Sequence, residues 1–243
     1  MTPIALHTVV EALAYFVGFR VFLLERRRLA LPVLADREQS LVIGAAAIIG
    51  AAIGAKLGYW IEDPQNAFAN FPDWHRLLEG KTIVGALLGG LAGVEIAKRI
   101  VGAQGSSGDA FALPLMVGIA IGRVGCFLGG LADHTYGNPT SLPWGVDFGD
   151  GVPRHPTQLY EIAFLVALIA FVHARRGAFR EPGDRFRFFM VAYLAFRLAI
   201  DAIKPVPYAY FGFFSGIQLL CVGGLCYYWR DLPRLGRVVW ARS

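Results

Sequence analysis

Residues 110–131 read AFALPLMVGIAIGRVGCFLGGL, an apolar run long enough to cross a bilayer and interrupted by one cation, Arg123. A guanidinium that deep in an apolar segment is costly to bury, so it is usually there to meet something. A polar loop follows, and then Arg154-His155-Pro156-Thr157-Gln158-Leu159-Tyr160-Glu161, which leads straight into another apolar stretch. Polar chemistry gathered at membrane depth suits a site that handles a charged headgroup.

The composition around this stretch is that of a membrane protein. Of 243 residues, 56% are hydrophobic and 17% charged, with mean hydropathy +0.50. A soluble domain carries closer to a quarter charged residues. Seven apolar stretches can be drawn, roughly 4–24, 41–61, 82–97, 110–131, 157–174, 186–203 and 210–229. They predict an all-α, polytopic membrane helical bundle of about seven transmembrane helices. The first stretch lacks the basic start and small-residue cleavage site of a signal peptide, so it reads as a helix. With no repeat, low-complexity tract or long linker, residues 1–243 read as a single domain.

Loop charges orient the bundle. Arg26, Arg27 and Arg28 follow the first stretch, Lys98 and Arg99 the third, and Arg175, Arg176, Arg180, Arg185 and Arg187 the fifth. Arg230, Arg234, Arg237 and Arg242 crowd the tail, while the alternate connections are poorer in cations. The excess of Lys and Arg marks the cytoplasmic side, which predicts N-out/C-in. The net charge of +5 then belongs to flanks lying near anionic membrane lipids and implies no nucleic acid partner. Three cysteines, Cys126, Cys221 and Cys226, fit no zinc spacing, so neither a metal nor another cofactor is expected.

Small residues recur every four positions: Gly50, Gly54 and Gly58, then Gly85, Gly89 and Gly93, then Gly118 and Gly122. Such spacing lets helix backbones approach closely in lipid. Two outer segments are long. Residues 62–81, with Phe71, Pro72 and Trp74, suit an interfacial arm, and residues 132–156, rich in Gly, Pro and Asp, suit a compact cap.

Several residues are candidates for chemistry. Arg123, between Gly122 and Gly125, suits a phosphate because guanidinium donates in a planar fork. Arg197 and Asp201 share a helix face and either neutralise each other or, if Asp201 meets Lys204 or Arg123, leave Arg197 for a ligand. Gln158 and Glu161 also share a face, whereas Tyr160 points elsewhere. His155 and Thr157 fit a helix cap; Glu161 lies deeper. Gln218 and Glu11 are further intramembrane polar groups, structural if taken singly. His134, beside Asp133, is an acid–base candidate because histidine titrates near working pH. Cys126, with apolar neighbours, reads as packing more than as a nucleophile.

Gly122-Arg123-Val124-Gly125-Cys126-Phe127, Tyr136-Gly137-Asn138-Pro139-Thr140 and the 154–161 string resemble the prolipoprotein diacylglyceryl transferase family. So do Tyr15-Phe16-Val17-Gly18-Phe19, Ala195-Phe196-Arg197 with Asp201, and Gly216-Ile217-Gln218-Leu219, so the likeness runs from the first stretch to the last. The resemblance implies transfer of a diacylglyceryl group from phosphatidylglycerol to the thiol of a prolipoprotein lipobox cysteine, releasing glycerol phosphate. It matches Arg123 to the family's essential arginine and Arg197 to a second arginine for substrate handling; if a base is needed, it is Glu11, His134, Glu161 or the substrate's own thiolate. Arg123, Arg154, His155, Gln158, Tyr160, Asp201 and Gln218 would bind substrate.

The likeness also has gaps. Val84 stands where the family carries a histidine proposed to be catalytic, Cys126 replaces an asparagine, and Gly129-Gly130-Leu131 replaces Asn-Gly-Glu. These departures leave open a non-catalytic phospholipid-binding or lipid-transporting paralogue, or a transferase with another acceptor.

Overall fold

The computed structural model describes residues 3–69 and 80–240, with side chains from 6 onward. Each predicted apolar stretch holds one helix. These are α1 (Pro3–Leu29), α2 (Arg37–Glu62), α4 (Ile83–Ile100), α5 (Asp109–Gly129), α6 (Thr157–Ala174), α7 (Asp184–Ile200) and α8 (Gly216–Tyr227). Among the described residues, two shorter helices lie outside those stretches, α3 (Pro64–Ala69) and α9 (Leu232–Trp240). The helical content and long apolar helices make the chain an all-α membrane bundle.

Among the described residues, four segments are long and apolar enough to cross a membrane: Leu6–Leu29, Arg37–Glu62, Asp109–Asp133 and Thr157–Ala174. The other three are shorter or carry more charge. The last predicted stretch begins later than expected, because Tyr210 and Phe214 form an isolated bridge before Ser215 caps α8. Large apolar side chains such as Phe16 (63% exposed) and Ile48 (73% exposed) line the outside of α1 and α2. In water they would form a large apolar patch; in lipid they face a matching solvent.

The helices pack in pairs, α1 on α5, α2 on α4, α5 on α6 and α7 on α8. The α2–α4 seam follows from the glycine periodicity. A Cβ built on Gly54 would collide with the Gly85 carbonyl and lie 2.8 Å from Gly89 Cα; one on Gly89 would lie 2.7 Å from Gly54 Cα. Backbone meets backbone here, so no side chain can yield. Gly54→Leu is therefore expected to destabilise the protein by about 3 kcal/mol, the upper range for overpacking. Gly44, which has nothing within 4 Å of an added Cβ, should tolerate leucine within about 0.5 kcal/mol. Thermal unfolding in detergent compares the two variants.

The α5–α1 contact is looser, since a Cβ on Gly118 or Gly122 would meet Ala14 atoms only at 3.6 and 4.0 Å. Behind these helices Val84, Met116, Leu165, Phe189, Leu194 and Cys221 build the main core.

The segment expected to cap the bundle is ordered by its turns. β1 (Val146–Asp147) pairs antiparallel with β2 (Pro153–Arg154), and Pro139 bridges to Arg154. Asp147 Oδ1 accepts from the backbone N–H groups of Gly149, Asp150 and Gly151 at 2.8, 3.1 and 3.0 Å. Gly149 and Gly151 have φ of 111° and 79°, a backbone open to glycine. The cap is joined to the far end of α7 where Asn138 N–H donates to the Ile203 carbonyl at 2.8 Å. Of the other expected loop, residues Phe71, Pro72 and Trp74 lie outside the described residues.

Candidate active site

Glu161 stands on the first turns of α6 and is 2% exposed. Its Oε2 lies 2.9 Å from Arg123 Nε of α5 and 3.0 Å from Arg197 Nη1 of α7. The first contact is an ion pair without hydrogen-bond alignment; the second is a donated hydrogen bond. Tyr193, one turn before Arg197, donates its hydroxyl to Glu161 Oε1 at 2.6 Å. Both arginines are 6% exposed, so one carboxylate pins two buried cations from different helices. The i, i+4 spacing of Tyr193 and Arg197 is the signal that sequence reading passed over.

Of the Arg197–Asp201 alternatives, the first holds: the two are paired, and Arg197 reaches Glu161 as well. Arg197 Nη2 lies 3.5 Å from Asp201 Oδ1, while Nη1 is given to Glu161. Asp201 also accepts from the Ser215 hydroxyl, so it ties the end of α7 to the start of α8. Besides Arg123 Nε, which has only its ion pair with Glu161, two buried polar atoms at the site have no hydrogen-bond partner among the described residues, Arg197 Nε and Gln158 Oε1. Buried groups of this kind are rarely left unmatched and indicate what a ligand would supply: an anionic acceptor for one, a donor for the other.

Lys204 follows the 3₁₀ turn Asp201–Ile203, beyond α7. Burial, then repulsion from Arg197 and Arg123, pushes its ammonium down to about 7. Among the described residues it makes no side-chain hydrogen bond or ion pair. Lys204 thus joins Arg123 and Arg197 near Glu161 and Asp201, with Glu62 at the end of α2 also within electrostatic reach of Asp201, Lys204 and Arg197.

Other expected site residues have different duties. Gln218 was expected to bind substrate, but it completes a capping box: Ser215 N–H donates to its Oε1 at 3.0 Å, and Gln218 N–H donates to Ser215 Oγ at 3.0 Å. Arg154 grips Asp150 through both terminal nitrogens at 2.7 Å, which holds the Asp150 carboxyl below the usual range. Its guanidinium also lies 5.0 Å from the Tyr136 ring centroid, so it fastens the cap. Tyr160 accepts from Trp144 Nε1 at 2.8 Å and lies 3.3 Å from His155 Nδ1. These three side chains form a polar aromatic cluster under the cap.

The expected pairing of His134 with Asp133 does not form. The turn Gly130–Asp133 ends with His134 at φ 52°, which sends its exposed ring toward Tyr136. Asp133 instead lies 2.9 Å from His7 Nδ1 of α1, a residue absent from the sequence-derived candidates. His7 Nε2 is 3.6 Å from Glu11, which is paired to Lys81 and accepts from Tyr15 at 2.8 Å. Glu11 is thus held by these partners and is not joined directly to Arg123.

A second cluster adjoins the first. Arg123 Nη1 is 3.8 Å from Cys126 Sγ, one turn along α5. Donor atoms of Cys126, His7 and Asp133 all lie within 4.8 Å of one another, a set able to hold a metal ion. Thr135 donates to Asp133 and accepts from Gln158 Nε2 at 3.1 Å, so hydrogen bonds link Gln158 of α6 to this corner. Val84, by contrast, is 1% exposed and packed in the apolar core, where it offers no chemistry.

The chain has relatives over most of its length. The model of the family described as prolipoprotein diacylglyceryl transferase matches residues 2–228. A phosphatidylglycerol–prolipoprotein diacylglyceryl transferase of Methylococcus capsulatus is 34% identical over 230 residues, covering 86% of this chain and 84% of that protein. The proteins of the same name from Geobacter sulfurreducens and Nitratidesulfovibrio vulgaris are each 35% identical, covering 84% and 72% of this chain and 76% and 69% of their own lengths. The chain belongs to the prolipoprotein diacylglyceryl transferase family.

Proposed function

We propose that this protein transfers the diacylglyceryl group of phosphatidylglycerol to the thiol of a lipobox cysteine in a prolipoprotein signal peptide. Glycerol phosphate is the leaving group. The observation that carries the reading is the buried Arg123–Glu161–Arg197 centre, with an unmatched guanidinium nitrogen and an unmatched amide oxygen facing the same site. The arginines suit the phosphate, and Gln158 Oε1 suits a hydroxyl of the headgroup glycerol. Charge growing on the departing phosphate is stabilised by donors already in place, which is transition-state electrostatics.

In this reading residues 1–243 form one integral domain of seven spans, N-out, in the bacterial inner membrane. The site opens on the outer leaflet beneath the 132–156 cap. His155 and Tyr160 guide the peptide or headgroup at the rim, and no nucleic acid takes part.

Labelled phosphatidylglycerol in nanodiscs with purified protein and a lipobox peptide tests the function. Thioether-linked diacylglycerol on the peptide is expected, and a serine peptide should receive none. Lipid retention without transfer would replace this reading with that of a lipid-binding paralogue, the alternative that Val84 favours.

Lys204 adds a pH dependence. Below pH about 7 its ammonium is a third cation for the phosphodiester; above that the charge is lost. Phosphatidylglycerol retained through purification should fall about tenfold as pH rises through this range, the worth of one charged hydrogen bond. Lys204→Met should remove the dependence.

A further inference from the structure

The geometry points to a divalent transition-metal site, most suited to zinc, formed by His7, Cys126 and Asp133 beside Arg123. Its role toward the incoming thiol rests on the transferase reading above. The site itself rests on donor chemistry alone.

The three residues supply one imidazole nitrogen, one sulfur and one carboxylate oxygen, the donor types that zinc takes. Their donor atoms lie within 4.8 Å of one another, and His7 Nδ1 and Asp133 Oδ1 are already 2.9 Å apart. Tetrahedral bonds of ordinary zinc length require donor separations of about 3.3–3.6 Å, so the observed spread brackets what a bound ion needs. Three protein ligands leave a fourth position, the arrangement of a catalytic zinc rather than a structural one.

The surroundings suit a metal as well. With His7 Nδ1 turned to the ion, Nε2 faces Glu11 at 3.6 Å, and Glu11 is anchored by Lys81 and Tyr15. Metal-bound histidines commonly give their other N–H to a carboxylate, which fixes the ring. Asp133 is steadied by Thr135, itself tied to Gln158. Charge also balances: a divalent ion with one thiolate and one carboxylate is neutral, and Arg123 is compensated by Glu161. The half-exposed rim reaches solvent, with the His7 and Asp133 side chains 23% and 11% exposed.

The site stands where the chemistry lacks a base. A thiol that takes the fourth position gives up its proton to water and is held as a thiolate. Sulfur then forms its bond to the glyceryl carbon as that carbon's bond to oxygen breaks, and the electron pair leaves on glycerol phosphate. Arg123, 3.8 Å from Cys126 Sγ, connects the metal to the phosphate pocket. Such a device makes a histidine at position 84 unnecessary, because the metal and not a proton acceptor generates the nucleophile.

Tag-free protein in detergent, titrated with Co²⁺ alone, tests the site. One equivalent should bind with tetrahedral visible absorption and a thiolate-to-cobalt band in the near ultraviolet, and Zn²⁺ should displace it. Cys126→Ser should lose that band and Cys226→Ser should keep it. Cys126→Asp separates ligand loss from misfolding, since it should still bind one equivalent but without the thiolate band. Glu11→Gln should weaken binding about tenfold. Addition of a lipobox peptide should strengthen the thiolate band, while a serine peptide should leave it unchanged.

No saturable binding, or a thiolate band that survives Cys126→Ser, would overturn the site. A spectrum unmoved by the cysteine peptide would overturn the role toward the thiol. Transfer that continues at full rate in metal-free protein would overturn that role while leaving the transferase intact; metal binding without transfer would do the reverse.

Discussion

Arg123→Ala is expected to lower diacylglyceryl transfer by about 10²–10³-fold, the loss that follows removal of one preorganised donor to developing charge. Arg123 is buried, shares Glu161 with Arg197, and lies 3.8 Å from Cys126 Sγ. Its loss removes a charge from the position where the leaving phosphate gains one. Arg123→Lys should recover little, because an ammonium cannot reproduce the planar fork that meets carboxylate and phosphate together. Single-turnover transfer in nanodiscs reads the effect apart from lipid uptake. A rate in Arg123→Ala within threefold of the parent would remove this residue from the mechanism.

Glu161→Ala should be the more damaging substitution for stability. The carboxylate is the common partner of two buried guanidiniums and the acceptor of the Tyr193 hydroxyl. Without it, two cations face each other at low dielectric and a buried hydroxyl loses its acceptor. Removing one partner of a buried ion pair costs about 3–5 kcal/mol. In a chain of this size that corresponds to a fall in Tm of roughly ten degrees. Adding Arg197→Met to the variant should restore part of the loss, since it withdraws one uncompensated charge; the two changes should therefore be strongly non-additive. Thermal unfolding of the single and double variants in the same detergent measures this coupling. A Tm unchanged in Glu161→Ala would mean that the arginines find their compensation elsewhere.

The two predictions separate what Glu161 does from what the arginines do. Sequence reading offered Glu161 as a possible base. Its pairing with two cations holds both arginines in place, and the proposed source of the reactive thiolate is the neighbouring His7–Cys126–Asp133 corner.

Much of the architecture was legible before any coordinates. Apolar length located every main helix, and the four-residue glycine spacing at 50, 54, 58 and 85, 89, 93 marked faces open to close backbone approach, because both are properties of local sequence; that these two faces meet each other came from the structure. Arg123 could be singled out for the same reason: a lone cation in an apolar run is visible without knowing its neighbours. Local readings failed where a side chain had to choose among distant partners. Asp133 passed over its sequence neighbour His134 for His7 on the first helix, since a left-handed residue turned His134 outward. Gln218 closed a helix cap instead of facing substrate, a choice made by Ser215 three residues before it.

Cysteine spacing excluded a local zinc motif and said nothing of a donor set drawn from positions 7, 126 and 133, only one of which is a cysteine. Sequence alone thus determined the membrane bundle, its faces open to close backbone approach and its family, because hydropathy and short motifs are encoded along the chain. Only the tertiary structure decided which charges meet. Ion pairing falls off over a few ångströms, and no sequence interval reports the distance between helices that packing brings together.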